Sequence, residues 1–159
     1  MLRIKLVVLG KLKEKFFSAA CDEYIKRLSR YCKLEVCEIP DLSVPDNPSE
    51  REIEAVLSKE ADAIAAKLGN CGNIAAMCIE GKQYSSEKFA DILTDAETSD
   101  GSIAFVIGSS HGLADRIKNM SRYKLSMSEM TFPHQLARVM LLEQIYRVFK
   151  IKNNENYHK

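Results

Sequence analysis

Four apolar runs, each closed by a glycine or a proline, set the strongest limit on what this chain can fold into. Leu2–Leu9 ends at Gly10, Leu34–Ile39 at Pro40, Asn73–Ile79 at Gly81 and Ile103–Ile107 at Gly108. Runs this short and this uniformly apolar suit strands covered on both faces. Between them the apolar spacing changes to every three or four residues, the period of an amphipathic helix. Lys13–Leu28 carries Phe16, Phe17, Ala20, Tyr24 and Leu28 on one side. The next helix follows a proline-rich loop, Pro40–Pro48. It opens at Ser49 with Glu52 three residues on, a capping-box spacing, and its stripe is Ile53, Val56, Leu57, Ala61, Ile64 and Leu68 with charge elsewhere. Ser85 or Ser86 caps a helix to about Glu97, and Gly112 leads into a short helix through Lys118. Tyr123–Met127 reads as a fifth short strand, and Gln135–Lys150 as the last helix. Alternation of this kind predicts an α/β fold: a parallel sheet with helices on both faces, in one domain spanning residues 1–159.

Composition narrows the function classes. With 159 residues, 46% of them apolar and 28% charged, the chain is ordinary globular material with room for one core. No apolar stretch reaches the length of a membrane span. The apolar N-terminal run is too short for a good signal peptide, so a cytoplasmic protein with no membrane partner is expected. Five cysteines with no C-x-x-C and no histidine at zinc-ligand spacing read as reduced thiols, and no metal site is expected. A net charge of +1 argues against coating nucleic acid by bulk electrostatics, though not against a local basic patch.

In a parallel sheet ligands bind beyond the carboxyl ends of the strands. Three segments fall there: Gly81-Lys82, the turn Gly108-Ser-Ser-His-Gly112, and the loop Met127–Phe132. The turn is not a G-x-G-x-x-G fingerprint, so no dinucleotide is implied, and it serves equally as punctuation or as a ligand loop. The loop alternates small polar and apolar residues. It is either a strand edge before a helix start, or a loop whose main chain reads a flat heterocycle between Met and Phe side chains. On the last helix Arg138 falls in the middle of the apolar arc, with His134 one turn before it. A buried guanidinium needs a partner, which is either a structural carboxylate or an interface or phosphate. Leu136 and Met140 lie on another flank, as on a helix that packs against a second subunit. The chain ends on Tyr157-His158-Lys159, where a phenol, an imidazole, an ammonium and a carboxylate crowd into three residues.

Taken together, Val8–Lys13, Ile79–Lys82, Phe105–Gly108 with Gly112-Leu113, Leu125-Ser126, Met130–His134, Arg138, Glu143–Arg147 and the terminal Tyr-His-Lys resemble the small bacterial SPOUT methyltransferases of large-subunit ribosomal RNA. The resemblance spans nearly the whole chain. It implies a C-terminal deep trefoil knot, a homodimer, and S-adenosyl-L-methionine bound in the knot. The implied reaction is methylation of N3 of pseudouridine 1915 in 23S rRNA on assembled ribosomes, with no separate RNA-binding domain. Carried onto matching positions, cofactor contacts come from Met77, Gly108, Met127, Ser128, Glu129, Met130, Thr131 and Phe132. His158 or the terminal carboxylate is the candidate base, Arg138 and His134 position the RNA or the tail, and Tyr157 stacks on or hydrogen-bonds to the target base. Two positions depart from the family pattern: Ser109 replaces a second glycine, which tightens the turn, and Asn156 replaces a proline, which loosens the tail. Two rival readings stay open. One is a ribosome-binding factor without turnover, and the other is a SPOUT methyltransferase acting on transfer RNA.

Overall fold

The computed structural model describes residues 1–157. Its elements run β1 (Arg3–Leu9), α1 (Lys15–Leu28), β2 (Lys33–Ile39), α2 (Glu50–Leu68), β3 (Ile74–Lys82), α3 (Ser86–Ser99), β4 (Ser102–Ile107), α4 (Asp115–Met120), β5 (Tyr123–Leu125) and α5 (His134–Lys152). The strands form one sheet in the order β2-β1-β4-β3-β5, and every pairing is parallel. The expected alternation and parallel sheet are therefore observed. Boundaries move by a few residues: α1 begins at Lys15 rather than Lys13, β5 stops at Leu125, and α5 gains a residue at its start and two at its end.

Side-chain alternation along the strands builds two cores. Leu2, Ile4, Leu6 and Val8 face α1, α3 and α5, together with Ile103, Phe105 and Ile107 of β4. Val7 and Leu9 face α2 and α4, together with Ala104 and Val106. Chain moves toward the β2 side of the sheet carry helices on the first face, and moves toward the β5 side carry them on the second. All four crossovers therefore share one hand, as parallel units require. Each fully buried leucine or phenylalanine contributes about 1.5–3 kcal/mol relative to exposure, which is why β1 and β4 tolerate almost no polar residue. Arg3 and Ser102 stand at the strand starts, exposed and half-buried, and Lys5 within β1 is half-buried with its Nζ donating to the carbonyl of Lys67 at 2.8 Å, a cation at the last turn of α2.

Local chemistry sets the helix ends. The capping box is complete: Glu52 N–H donates to Ser49 Oγ at 3.2 Å and Ser49 N–H to Glu52 Oε1 at 3.3 Å. Ser85 caps α3 through the Lys88 N–H. Among the described residues no helix is long and apolar enough to cross a membrane, and no group of three His, Cys, Asp or Glu side chains is placed to hold a metal ion.

The last helix is locked to the first two strands by Arg138, which is 4% exposed. Its Nη1 meets Glu38 Oε2 at 2.9 Å and its Nη2 donates to the Gly10 carbonyl at 3.0 Å. Gln135 Oε1 accepts from the Lys13 N–H at 3.0 Å, a second tie between the β1–α1 loop and the start of α5. Removing Glu38 strands a buried guanidinium. That penalty reaches about 3–5 kcal/mol for a fully buried pair. The Glu38 side chain keeps 38% of its exposure, so Glu38→Ala is expected to cost nearer 2 kcal/mol (order of magnitude). Urea unfolding at neutral pH measures it, and an unchanged midpoint would mean that the clamp contributes nothing.

Candidate active site

Beyond the carboxyl ends of β3, β4 and β5 lies a cavity of about 730 Å³. Three segments wall it: the end of β3 from Met77 to Glu80, the turn Gly108–Gly112, and the stretch from Leu125 to His134. Each wall has a local cause. The turn is closed by the Gly112 N–H donating to the Ser109 carbonyl at 2.9 Å. Gly112 sits at φ +82°, a conformation that glycine adopts without strain. At Gly108 a Cβ would lie 2.3 Å from the Gly112 carbonyl oxygen, so no other residue permits this closure.

The β3 wall is less regular than its apolar run suggests. Both Met77 and Lys82 pair with Leu125, and the residues between them leave the ladder. Gly81 allows the return, because a Cβ there would stand 2.6 Å from the Leu125 main chain. The excursion is held by Glu80, 2.5 Å from Lys118 of α4. That lysine keeps the Glu80 carboxyl below its ordinary range. Cys78 is half-buried in the cavity wall, with its thiol pushed up by burial.

The third wall follows from short hydrogen-bonded turns. The Ser126 N–H donates to the Lys82 carbonyl at 3.0 Å. Ser126 Oγ donates to the Ser128 carbonyl at 2.9 Å, and the Met130 N–H donates to Ser128 Oγ at 3.1 Å. These bonds lay Met127, Met130, Thr131 and Phe132 along the cavity and deliver the chain to Pro133, the first residue before α5.

The cavity thus gathers Met77, Gly108, Met127, Ser128, Met130, Thr131, Phe132 and His134. Glu129 is exposed and stands outside the wall. Arg138 faces elsewhere, into a smaller space of about 320 Å³ lined by Lys11, Cys21 and Glu38. Tyr157 lies on its own α5. Its hydroxyl donates to Glu143 Oε1 at 3.2 Å, its ring meets Tyr146 edge-on at 5.0 Å, and the Arg147 guanidinium sits 4.8 Å from its centre. Burial, with Tyr24 and Glu143 adding, pushes its phenol up to about 12, so it is protonated at neutral pH. Glu143 also lines a second cavity of about 570 Å³ between α1, α3 and α5, which shares Met77, Leu125, Ser126 and Met127 with the first. The segment Leu125–Met127 is therefore a partition between the two. His158 lies outside the described residues.

His111, part of the Gly108–Gly112 turn, is exposed and lines the cavity together with Lys118, which the sequence did not single out. Glu60 is a correction to the α2 stripe: the expectation put charge elsewhere, yet this carboxylate is 3% exposed and accepts from Ser109 Oγ at 3.1 Å. Its position one turn before Ile64 and one turn after Val56 was the available signal.

A parallel sheet, a glycine-closed turn and a coiled loop meeting at one cavity is a fold-level observation with known counterparts. Residues 2–158 match the family model described as predicted SPOUT methyltransferase. The chain belongs to the SPOUT methyltransferase family. A SPOUT relative in Clostridium botulinum (strain 657 / Type Ba4), named ribosomal RNA large subunit methyltransferase H, is 46% identical, over 99% of this chain and 100% of its own length. One in Clostridium perfringens (strain SM101 / Type A), named ribosomal RNA large subunit methyltransferase H 1, is 48% identical over the same shares. Among solved structures, a probable methylase family protein from Haemophilus influenzae Rd KW20 superposes with a TM-score of 0.61 at 13% identity, covering 98% of this chain and 70% of that one. A tRNA (m1G37) methyltransferase from Aquifex aeolicus gives 0.54 at 15%, covering 92% and 69%. At such identities these two show the shared SPOUT fold alone. SPOUT enzymes in general use S-adenosylmethionine, and the cavity's chemistry fits that group: apolar Met and Phe side chains for a flat purine, and at Gly108 a main chain with no side chain to obstruct its approach.

Burial pushes the Glu60 carboxyl above its ordinary 4.5, with the Ser109 hydroxyl opposing, Asp41 adding and His111 opposing. Folding therefore disfavours the ionised form relative to the unfolded chain. The contribution of Glu60 to stability is complete below 4.5 and is lost as pH rises through the higher folded value. Glu60→Gln, neutral at every pH, is expected to melt above the unmodified protein at neutral pH, with the gap closing toward 4.5. Thermal scans across pH check it; a gap independent of pH would mean that burial does not act on this carboxylate.

Proposed function

We propose that this protein is an S-adenosylmethionine-dependent methyltransferase of 23S rRNA, acting on N3 of a pseudouridine in assembled ribosomes. The observation that carries the reading is the convergence of the Gly108 turn and the Met127–Phe132 loop on one cavity at the sheet's carboxyl edge. The relatives' names supply the rRNA, and the near-neutral charge supports recognition through the ribosome rather than through a separate RNA-binding unit. A C-terminal knot belongs to the same proposal, supported by the family match over residues 2–158.

When bound, S-adenosylmethionine supplies an electrophilic methyl on a sulfonium that departs as a neutral thioether. The rest falls to the chain. Met77, Gly108, Met127, Ser128, Met130, Thr131 and Phe132 would hold the cofactor and orient its methyl for transfer. The N3–H of a uracil-type ring is a weak acid, so its proton needs an acceptor. His158 is proposed for that role, with the terminal carboxylate as the alternative. His134, half-buried on the cavity wall, orients the RNA. Arg138 acts by fixing α5 beneath it. Tyr157, kept as a neutral phenol, stacks on or donates to the target base.

A homodimer completes the site in this reading. Leu136 and Met140 are half-buried on the flank of α5, and the groove beside Met140 is apolar. Tyr157 sits at the edge of that groove, so a second subunit there would carry one protomer's tail toward the other's cavity.

The experiment is methyl incorporation from labelled S-adenosylmethionine into ribosomes, free rRNA and transfer RNA, with the product located by mass spectrometry. Label at N3 of a pseudouridine in ribosomal 23S rRNA is expected. Deleting residues 157–159 should lower turnover by about 100-fold or more, the scale of a lost general base, while cofactor binding by calorimetry persists. Wild-type turnover in the truncated protein would exclude a catalytic tail, and ribosome binding without any cofactor heat would indicate a factor without turnover.

A further inference from the structure

Glu60 plays no part in the reaction above, yet the fold buries it under the wall of the reaction cavity. It projects from α2 to the Gly108–Gly112 turn, where its Oε2 accepts from Ser109 Oγ at 3.1 Å. The same serine closes the turn, because its carbonyl takes the Gly112 N–H at 2.9 Å. Ser109 is thus both the residue α2 grips and the residue on which the turn folds. The turn has no slack elsewhere, since Gly108 already lies against the Gly112 carbonyl with no room for a Cβ. The other charged groups that act on Glu60 are Asp41, in the loop after β2, and His111, in the turn itself.

A carboxylate taken out of water is costly, and packing alone would be served better by an apolar side chain. The cost is offset where the ion does something a hydrocarbon cannot, and here that is a directional hydrogen bond to one side chain of a ligand-facing turn. Glu60 does not line the cavity. Anything it contributes passes through Ser109, which does.

We propose that Glu60 is a positioning residue: through Ser109 Oγ it fixes the main chain of the Gly108–Gly112 turn in the shape the cavity presents to its ligand. The inference rests on reading that cavity as the S-adenosylmethionine site. It predicts that loss of Glu60 weakens cofactor binding while sparing the chemical step and ribosome recognition.

The test uses the full chain as Glu60→Ala, Glu60→Gln, Ser109→Ala and the double alanine variant. In the ligand-free protein, amide hydrogen exchange at Gly112 reports the turn directly. Exchange there should speed about tenfold in both single alanine variants, the effect of losing one hydrogen bond to a charged group. It should stay slow in Glu60→Gln, whose amide oxygen still accepts. With S-adenosylmethionine, KM for the cofactor should rise about tenfold in the alanine variants, with kcat at saturation and KM for ribosomes unchanged. The double variant should be no worse than Ser109→Ala alone, because the two residues act as one unit. Unchanged Gly112 exchange in both alanine variants, or effects that add in the double variant, would overturn the proposal. Should Glu60→Ala fail to fold, Ser109→Ala against the unmodified protein decides the same point. If the unmodified protein takes up no S-adenosylmethionine, the cofactor reading fails, and the exchange data still decide whether Glu60 holds the turn.

Discussion

The last helix, and with it the loop that forms the cavity's third wall, is held by a guanidinium in the interior. Arg138 spans a helix, a strand and a loop end: it rises from α5, takes Glu38 on β2 and caps the carbonyl where β1 stops. The cost of desolvating it is offset by those two partners together, and neither comes from its own helix. Because α5 starts at Pro133 with no side-chain cap, this clamp and the Gln135 bond are what fix the angle at which the preceding loop enters the helix. The cavity's third wall inherits its position from them. An arginine at the centre of an apolar arc thus serves the site without standing in it.

The cavity sits where the sheet's two helical layers part. Toward the sheet interior the strands carry small residues on the α2–α4 face, such as Ala76 and Ala104, and larger ones on the other, such as Phe105. Past their carboxyl ends the side chains give way to main chain, with Gly108 and Gly81 both in places that a Cβ would obstruct. The cavity there combines glycine main chain with methionine and phenylalanine surfaces. The partition Leu125–Met127 then separates the second cavity from the first.

Much of this was legible in the sequence, for local reasons. Strand runs, helical stripes and the Ser49–Glu52 box all express interactions within a few residues, and periodicity reads those directly. That a cavity lies at the carboxyl edge of the sheet followed from parallel topology. What escaped was carried by contacts across long separations. Nothing near Arg138 points to Glu38, 100 residues away. Nothing in the apolar run of β3 foretells that Met77 and Lys82 share one partner, because the excursion is decided by Leu125 of another strand. Glu60 sat on the apolar stripe in plain view, but its meaning lay in Ser109, 49 residues on. Tyr157 was singled out for its chemistry, whereas its resting place on Glu143 depends on the chain reversing at Asn154, which adopts φ +53°.

The shortness of β5 has a consequence for how the molecule behaves in a crowd of its own copies. An open sheet offers two borders of unpaired main-chain groups, and a long flat border recruits foreign strands. Here one border is only three residues long, with exposed Lys124 at its centre, and its neighbour β3 leaves the ladder just beyond Met77. The opposite border, β2, sets exposed Lys33, Glu35 and Glu38 along its seven residues. The irregularity that shapes the cavity therefore also shortens the sheet's β5 margin, leaving little straight edge for a foreign strand to join.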